Sequence, residues 1–159
     1  MGAVKLRLRR MSTAEFDAFR ARSVTEYAAA RVESGDWSAD RAEGLAAEQT
    51  ESLLPEGADT PGMLLLTAES QQYGIVGLAW VALEHGEKRS AWIYDIEIVP
   101  AHRGKGYGKA LLHAVEQLVA HHGVESIGLN VFAGNDVARR LYASSGYETT
   151  SIHMRKALS

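Results

Sequence analysis

At 159 residues, with 46% hydrophobic and 23% charged side chains, the chain has the length of one domain and the composition of a folded globular protein. A formal net charge of -3 disfavours partners recognised through global positive charge, such as duplex nucleic acid or an anionic membrane surface. The absence of cysteine removes disulfides, thiolate metal sites and a cysteine nucleophile.

The opening MGAVKLRLRRMSTAEF interleaves charge with apolar residues, and no apolar run in the chain approaches the ~20 residues of a membrane span. A cytoplasmic location is the expectation. Val4, Leu6 and Leu8 alternate with Lys5, Arg7 and Arg9, the period of a strand with one buried face. Ser12 followed by Glu15 forms a capping box and predicts a helix through Phe16 and Phe19 toward Gly35. A second helix is expected from about Ser38 to Leu54, stopped by Pro55. LPEGADTPG is a turn-rich loop into a strand at Met63 to Glu69. YGIVGLAWVALEHGEKRSAWIYDIEIVP reads as two strands joined around His85 and Gly86, the second ending at Pro100.

From Tyr107 the period changes. Leu111, Leu112, Val115, Leu118 and Val119 fall on one helical face, until Gly123 ends the segment. SIGLNVF is the next strand. Asn135 or Gly134 caps a further helix that carries Asp136 in its first turn and Gly146 beyond its last. The tail YETTSIHMRKAL is expected to add one or two strands. The order βααβββαβαβ describes a single domain over residues 1–159, α+β or mixed α/β, with helices packed on a sheet.

The stretch IVPAHRGKGYGKALL joins a strand to a helix through alternating glycines. The first helical turn has N–H groups without intrahelical partners, and glycines let an anion come close to them. Arg103, Lys105 and Lys109 add positive charge there. Such a turn binds phosphate, or it serves chain geometry alone. The spacing of Gly104, Gly106 and Gly108 does not match the dinucleotide fingerprint. The Walker pattern fails as well, because Ala110 follows Lys109.

Arg103, Gly106 and Gly108, placed directly after a strand, spell R-x-x-G-x-G, and LNVFAGNDVARRLYASSGY supplies a second block of a strand, an asparagine, Leu-Tyr and Gly-aromatic. In these two ordered motifs, from about Trp92 to Tyr147, the chain resembles the GNAT superfamily of N-acetyltransferases. The resemblance implies a GNAT fold: a central, mostly antiparallel sheet of about six or seven strands, splayed in the middle and flanked by about four helices. It implies acetyl-CoA as cosubstrate, with no metal, and direct transfer of acetyl to a primary amine in a ternary complex.

Carried over residue by residue, the resemblance places the CoA pyrophosphate on Arg103, Gly104, Lys105, Gly106, Tyr107, Gly108 and Lys109. The pantetheine arm would lie along DIEIV and pair with backbone near Ile96 and Ile98. Asn135 matches a residue that contacts the cofactor, and a plain N-cap role competes with that reading. Tyr142 matches the tyrosine that faces the CoA sulfur; its phenol, of ordinary pKa about 10, can protonate a thiolate of about 8.5. A tyrosine packed beside Leu141 is the alternative.

The general base is expected on the strand before the glycine turn. Asp95, Glu97 and Val99 share one face of it, with Ile96 and Ile98 on the other. A carboxylate on a central strand is costly to bury, so Glu97 is the first candidate, acting directly or through water, and Asp95 the reserve. Some family members carry a glutamate at the position matched by Asn130, which cannot act as a base. His121 and His122 adjoin the helix terminator Gly123 and suit a solvated helix end better than a metal site. Tyr27 and Trp37 could line an acceptor cleft or pack in the core, and Trp80 is expected in the core. The acidic second helix is a solvated face or an attractant for a cationic amine.

Two readings compete with an acetyl-CoA-dependent N-acetyltransferase. One is a GNAT-fold CoA-binding sensor or non-catalytic binding domain; the other is a nucleotide-binding module using the same anion turn. The partners expected are acetyl-CoA and an amine acceptor, without nucleic acid or membrane, and a homodimer is in keeping with the family.

Overall fold

The computed structural model describes residues 4–83 and 89–159. The junction expected around His85 and Gly86 lies outside the described residues. The chain runs β1 (Leu6–Arg10), α1 (Thr13–Glu33), α2 (Ala39–Leu53), β2 (Met63–Ser70), β3 (Gly74–Leu83), β4 (Ser90–Ile98), α3 (Tyr107–His121), β5 (Ser126–Leu129) and α4 (Asp136–Ser144). Single 3-10 turns occupy Gly57–Asp59 and Pro100–His102. Among the described residues, no helix is long and apolar enough to cross a membrane.

The entry to α1 follows the capping box. Ser12 Oγ accepts the Glu15 N–H at 3.1 Å, and Glu15 Oε1 accepts the Ser12 N–H at 2.7 Å. Arg9 at the end of β1 then clamps Glu15 of α1 and Glu69 of β2, both at 2.8 Å. Strand, helix and neighbouring strand are thereby fixed together at one corner.

The sheet has the order β1-β2-β3-β4-β5. The first four strands pair antiparallel, and β5 runs parallel to β4. A parallel pair needs a crossover, which α3 provides. One face packs on α3 through Ala68, Ala79, Val81, Ala91, Ile93, Leu111, Leu112, Val115 and Val119. The other face packs on α1 and the residues after α2 through Met11, Phe16, Phe19, Leu54, Leu65 and Trp80. Trp80 is 4% exposed and belongs to this core, as expected; it meets Phe19 edge-on at 6.2 Å and stacks on Tyr94 at 4.6 Å.

A register shift in β4 sets which way its side chains face. Trp80 pairs with Asp95, but the next residue, Val81, pairs with Ile93, so Tyr94 is an extra residue in β4, a β-bulge. The bulge changes the parity of the strand. Ala91 and Ile93 before it, and Ile96 and Ile98 after it, all pack on the α3 side, while Tyr94 joins the core around Trp80.

Among the described residues the sheet has five strands, fewer than the six or seven that the resemblance implied. The tail from Tyr147 contains no strand. Its alternating apolar residues find no surface to bury: Ile152, Met154 and Leu158 are 77%, 86% and 87% exposed. Arg155 instead reaches back to the Gly35 carbonyl and the Asp36 carboxylate beyond the end of α1. SIGLNVF is also shorter than expected, because pairing with β4 stops at Leu129.

Candidate active site

The rungs between β4 and β5 run from Ser90–Ser126 to Ile93–Leu129 and go no further. Beyond them the strands part. The gap opens into a cleft of about 150 Å³, floored by Tyr94, Asp95 and Ile96, walled by residues 129–132, and closed by Asn135 and Tyr142 from the α4 side. The last rung and the bulge coincide, so β4 parts from β5 where its alternation reverses, and Asp95, the residue after the bulge, lines the opening. Ile96 and Ile98 pair with Ala79 and Gly77 of β3 on their other side.

At the end of β4 the chain makes the glycine turn. The Val99 N–H donates to Val76 O at 2.8 Å, and a 3-10 turn follows from Pro100. Arg103 braces this turn, its N–H donating to Pro100 O at 3.3 Å and its Nε–H to Ile98 O at 3.0 Å. Gly104 and Gly106 then take φ of +76° and +84°, a left-handed conformation that L side chains resist. A Cβ at either position would meet no atom within 4 Å beyond its chain neighbours, so the left-handed φ and not crowding is what calls for glycine at both. Gly106 is the N-cap of α3, which leaves the N–H groups of Tyr107, Gly108 and Lys109 in the first helical turn without intrahelical acceptors.

The side chains around the turn divide the work. Tyr107, 6% exposed, anchors the turn, with its ring edge-on to Tyr73 at 6.4 Å and to His102 at 6.3 Å. Lys105 Nζ lies 4.7 Å over the Tyr73 ring. Lys109 is exposed on the first turn of α3. Gly108 faces α4, where its Cβ would stand 3.4 Å from Leu141 Cδ2, so the helix carrying the turn and the helix carrying Tyr142 pack closely.

Asn135 is the N-cap of α4, its Oδ1 accepting the Ala138 N–H at 3.3 Å, and it also lines the cleft. Tyr142 follows seven residues later, two helical turns on, and so shares that face. Burial raises the Tyr142 phenol, and the Asp95 charge raises it further. The end of α4 is tied to α3 by Tyr147, whose hydroxyl donates to Glu116 Oε2 at 2.9 Å and whose ring lies 5.7 Å from that of Tyr142.

The two carboxylates of β4 have different surroundings. Asp95 lines the cleft. Its carboxyl is pushed up to about 7, first by burial, then by the charge and hydrogen bond of Glu97, with a smaller push from Glu26. Glu97 Oε1 accepts from Arg22 Nη2 of α1 at 3.1 Å, and Arg22 also lies 3.7 Å from Glu26 one turn along the helix. Asn130 lies in the cleft wall. Sequence reasoning missed Arg22 and Glu26. Their i,i+4 spacing marks a helix-surface pair, and nothing local connects that pair to a strand seventy-five residues away.

Other candidates fall elsewhere. Tyr27 and Trp37 meet edge-on at 5.6 Å with Arg31 over both rings, a packing unit where α1 turns into α2. His121 ends α3, and His122 Nδ1 lies 2.9 Å from Leu118 O at the helix C-terminus.

Comparison with known proteins agrees with this architecture. The family described as "Acetyltransferase (GNAT) family" matches residues 26–147. The Bacillus subtilis protein named uncharacterized N-acetyltransferase YycN is 34% identical over 149 residues, covering 93% of this chain and 96% of its own. The crystal structure of YycN superposes with a TM-score of 0.93 at 33% identity, covering 98% of this chain and 99% of that one. At 16% identity, a level that speaks to fold alone, AAC(6')-Iy in complex with the bisubstrate analogue CoA-S-monomethyl-acetylneamine has a TM-score of 0.59, with 96% and 99% of the two chains covered.

Proposed function

The chain belongs to the GNAT family of acetyltransferases, and from that premise we propose that it transfers acetyl from acetyl-CoA to a primary amine by direct attack in a ternary complex. The observation that carries this reading is the meeting of three features at one place. They are a cleft opened by the parting of β4 and β5, a left-handed glycine turn whose helix α3 packs on α4, and Tyr142 of α4 lining the cleft.

The N–H groups from Gly104 through Lys109 take the CoA pyrophosphate at the positive end of α3. Arg103 acts through the shape of the turn that it braces. The pantetheine arm enters between β4 and β5 and pairs with β4 backbone near Ile96 and Ile98, where β5 has left that edge. Asn135 borders the arm at the start of α4. With no cysteine in the chain, acetyl passes straight from CoA sulfur to the amine.

The amine must lose a proton before it attacks the thioester carbonyl, and one of the two β4 carboxylates, Glu97 or Asp95, accepts it. As the tetrahedral adduct collapses, the carbon–sulfur bond breaks and Tyr142 protonates the departing thiolate. A phenol whose pKa is raised stays protonated through the working range, as a proton donor requires.

A calorimetric titration with acetyl-CoA, CoA and ATP in parallel tests the cofactor half of this reading. Binding of both CoA species and not of ATP is expected. Thiol release in the presence of spermidine, kanamycin or a lysine-containing peptide then tests the transfer. Absence of binding by either CoA species would overturn the proposal, and binding without thiol release for any amine would favour a CoA-binding domain without turnover.

A further inference from the structure

We infer that Asp95, and not its neighbour Glu97, takes the proton from the acceptor amine, while Glu97, held by Arg22 of α1, acts as a positioning residue for Asp95. This inference rests on the acetyl-transfer reading above.

The distinction comes from the bulge. An extra residue at Tyr94 ends the pairing with β5 and presents Asp95 at the point where the strands separate. Asp95 therefore borders the same cleft as Tyr142, Asn130 and Asn135. Glu97 is two residues further along, is absent from the residues that border the cleft, and is engaged by Arg22 at 3.1 Å. A base must reach the proton that it removes, so geometry selects Asp95 before acidity is considered.

The charged groups around Asp95 are consistent with this role. Glu97 stands on the same strand, Glu26 faces it from α1, where Arg22 pairs with Glu97 and Glu26, and the Tyr142 phenol faces it from α4; Trp80, its partner on β3, carries no charge. Arg22 is shared between Glu97 and Glu26, so one guanidinium serves two carboxylates, and Asp95 adds a third acid beside them. That surplus of negative charge suits an ammonium arriving from the α1 side. The Asp95 carboxyl, pushed up to about 7 by burial and by Glu97, can hold a proton near neutrality and lose it to solvent between turnovers.

The proton balance closes. The Asp95 carboxylate takes one proton from R–NH3+, leaving R–NH2, whose lone pair forms the carbon–nitrogen bond to the thioester carbonyl. Collapse breaks the carbon–sulfur bond. Tyr142 gives its proton to the thiolate and recovers one from the amide nitrogen, and Asp95 returns its own to water. The products are the acetylated amine, CoA thiol and one proton.

The experiment compares wild type with Asp95→Asn and Glu97→Gln in three readouts. These are acetyl-CoA binding, the pH profile of kcat/KM for whichever of spermidine, kanamycin or a lysine peptide is turned over, and carbon-13 NMR titration of the aspartate side chains with CoA bound. Asp95→Asn is expected to lower kcat at least about 100-fold with the acetyl-CoA Kd within about twofold. Glu97→Gln is expected to keep kcat within about tenfold of wild type and to move the acidic limb of the profile to lower pH. One aspartate signal, missing in Asp95→Asn, should titrate near pH 7 and fall in Glu97→Gln. Titration of that signal near pH 4, or an active Asp95→Asn beside an inactive Glu97→Gln, overturns the inference while leaving acetyl transfer intact. A wild type that binds no acetyl-CoA overturns both.

Discussion

Ile93 and Leu129 form the last rung between β4 and β5, and the next residue of β4, Tyr94, is the bulge that has no place in the β3 register. One local irregularity thus ends a parallel pairing, inverts the facing of a strand, and sets a carboxylate beside a tyrosine at the mouth of a cleft. Bulges re-aim side chains at the cost of a little pairing. Here the residue re-aimed is Asp95, and the group that it meets across the cleft is Tyr142.

Tyr142→Phe follows from that pairing. Its ring packs beside Tyr147, and Phe retains the ring while removing the proton. Turnover is expected to fall roughly 100-fold, the lower end of what a general acid contributes, with an unchanged circular dichroism spectrum and unchanged acetyl-CoA affinity. Stopped thiol-release assays at saturating acetyl-CoA provide the measurement. Full activity would remove the phenol from the mechanism.

The glycine turn makes a prediction of a different kind. Gly106 sits at φ +84° with nothing within 4 Å of where a Cβ would point. In Gly106→Val the strain is conformational, roughly 1–2 kcal/mol or more for a β-branched residue, and it falls on the turn that aligns the N–H groups. Calorimetry should show acetyl-CoA binding weakened at least about tenfold. Gly134→Ala, at a glycine that lies in open space without positive φ, provides the control and should bind normally.

Local patterning was readable wherever neighbours in sequence decide the structure. Ser12 and Glu15 announced α1, the spacing of Leu111, Leu112 and Val115 announced the buried face of α3, and the glycines after Pro100 announced the turn. What could not be read there depends on contacts between distant segments. Asp95 and Glu97 look alike in the sequence, two acids on one strand face, and they separate only because Arg22 arrives from α1 and Tyr94 is extruded from the register. The tail failed in the opposite way. Ile152, Met154 and Leu158 alternate as strand residues do, yet alternation makes a strand only where a face can be buried and an edge paired.

The corner at Arg9 makes stability depend on acid. Hydrogen bonds from Arg9 and the Ser12 backbone hold the Glu15 carboxyl down to about 2, against an ordinary value of 4.5. A depressed folded-state pKa contributes stability that is complete above the ordinary value and is lost as pH falls through the folded one. The difference in urea midpoint between wild type and Glu15→Gln should therefore be widest above about pH 4.5 and close as pH approaches 2. Both side chains are partly exposed, so salt should narrow the difference as well. A gap that stays constant from pH 6 to 2 would show that Glu15 acts through packing alone.

The same substitution at two other glycines should have opposite signs. At Gly77 in β3, a Cβ would lie 2.6 Å from the Glu97 carbonyl, 3.0 Å from Ile98 Cδ1 and 3.3 Å from Leu111 Cδ2. The carbonyl belongs to the strand that floors the cleft and cannot rotate away, so Gly77→Ala should cost about 1–3 kcal/mol and displace β4 where Glu97 meets Arg22. Activity should fall together with stability. Gly44 lies exposed in the middle of α2 with nothing within 4 Å of its Cβ position, and Gly44→Ala should gain about 0.5–1 kcal/mol by reducing the freedom of the unfolded chain. Urea denaturation of the two variants measures both signs. A stabilised Gly77→Ala would mean that β3 and β4 are not held at this close approach, and the floor of the cleft would then lack the rigidity on which the placement of Asp95 depends.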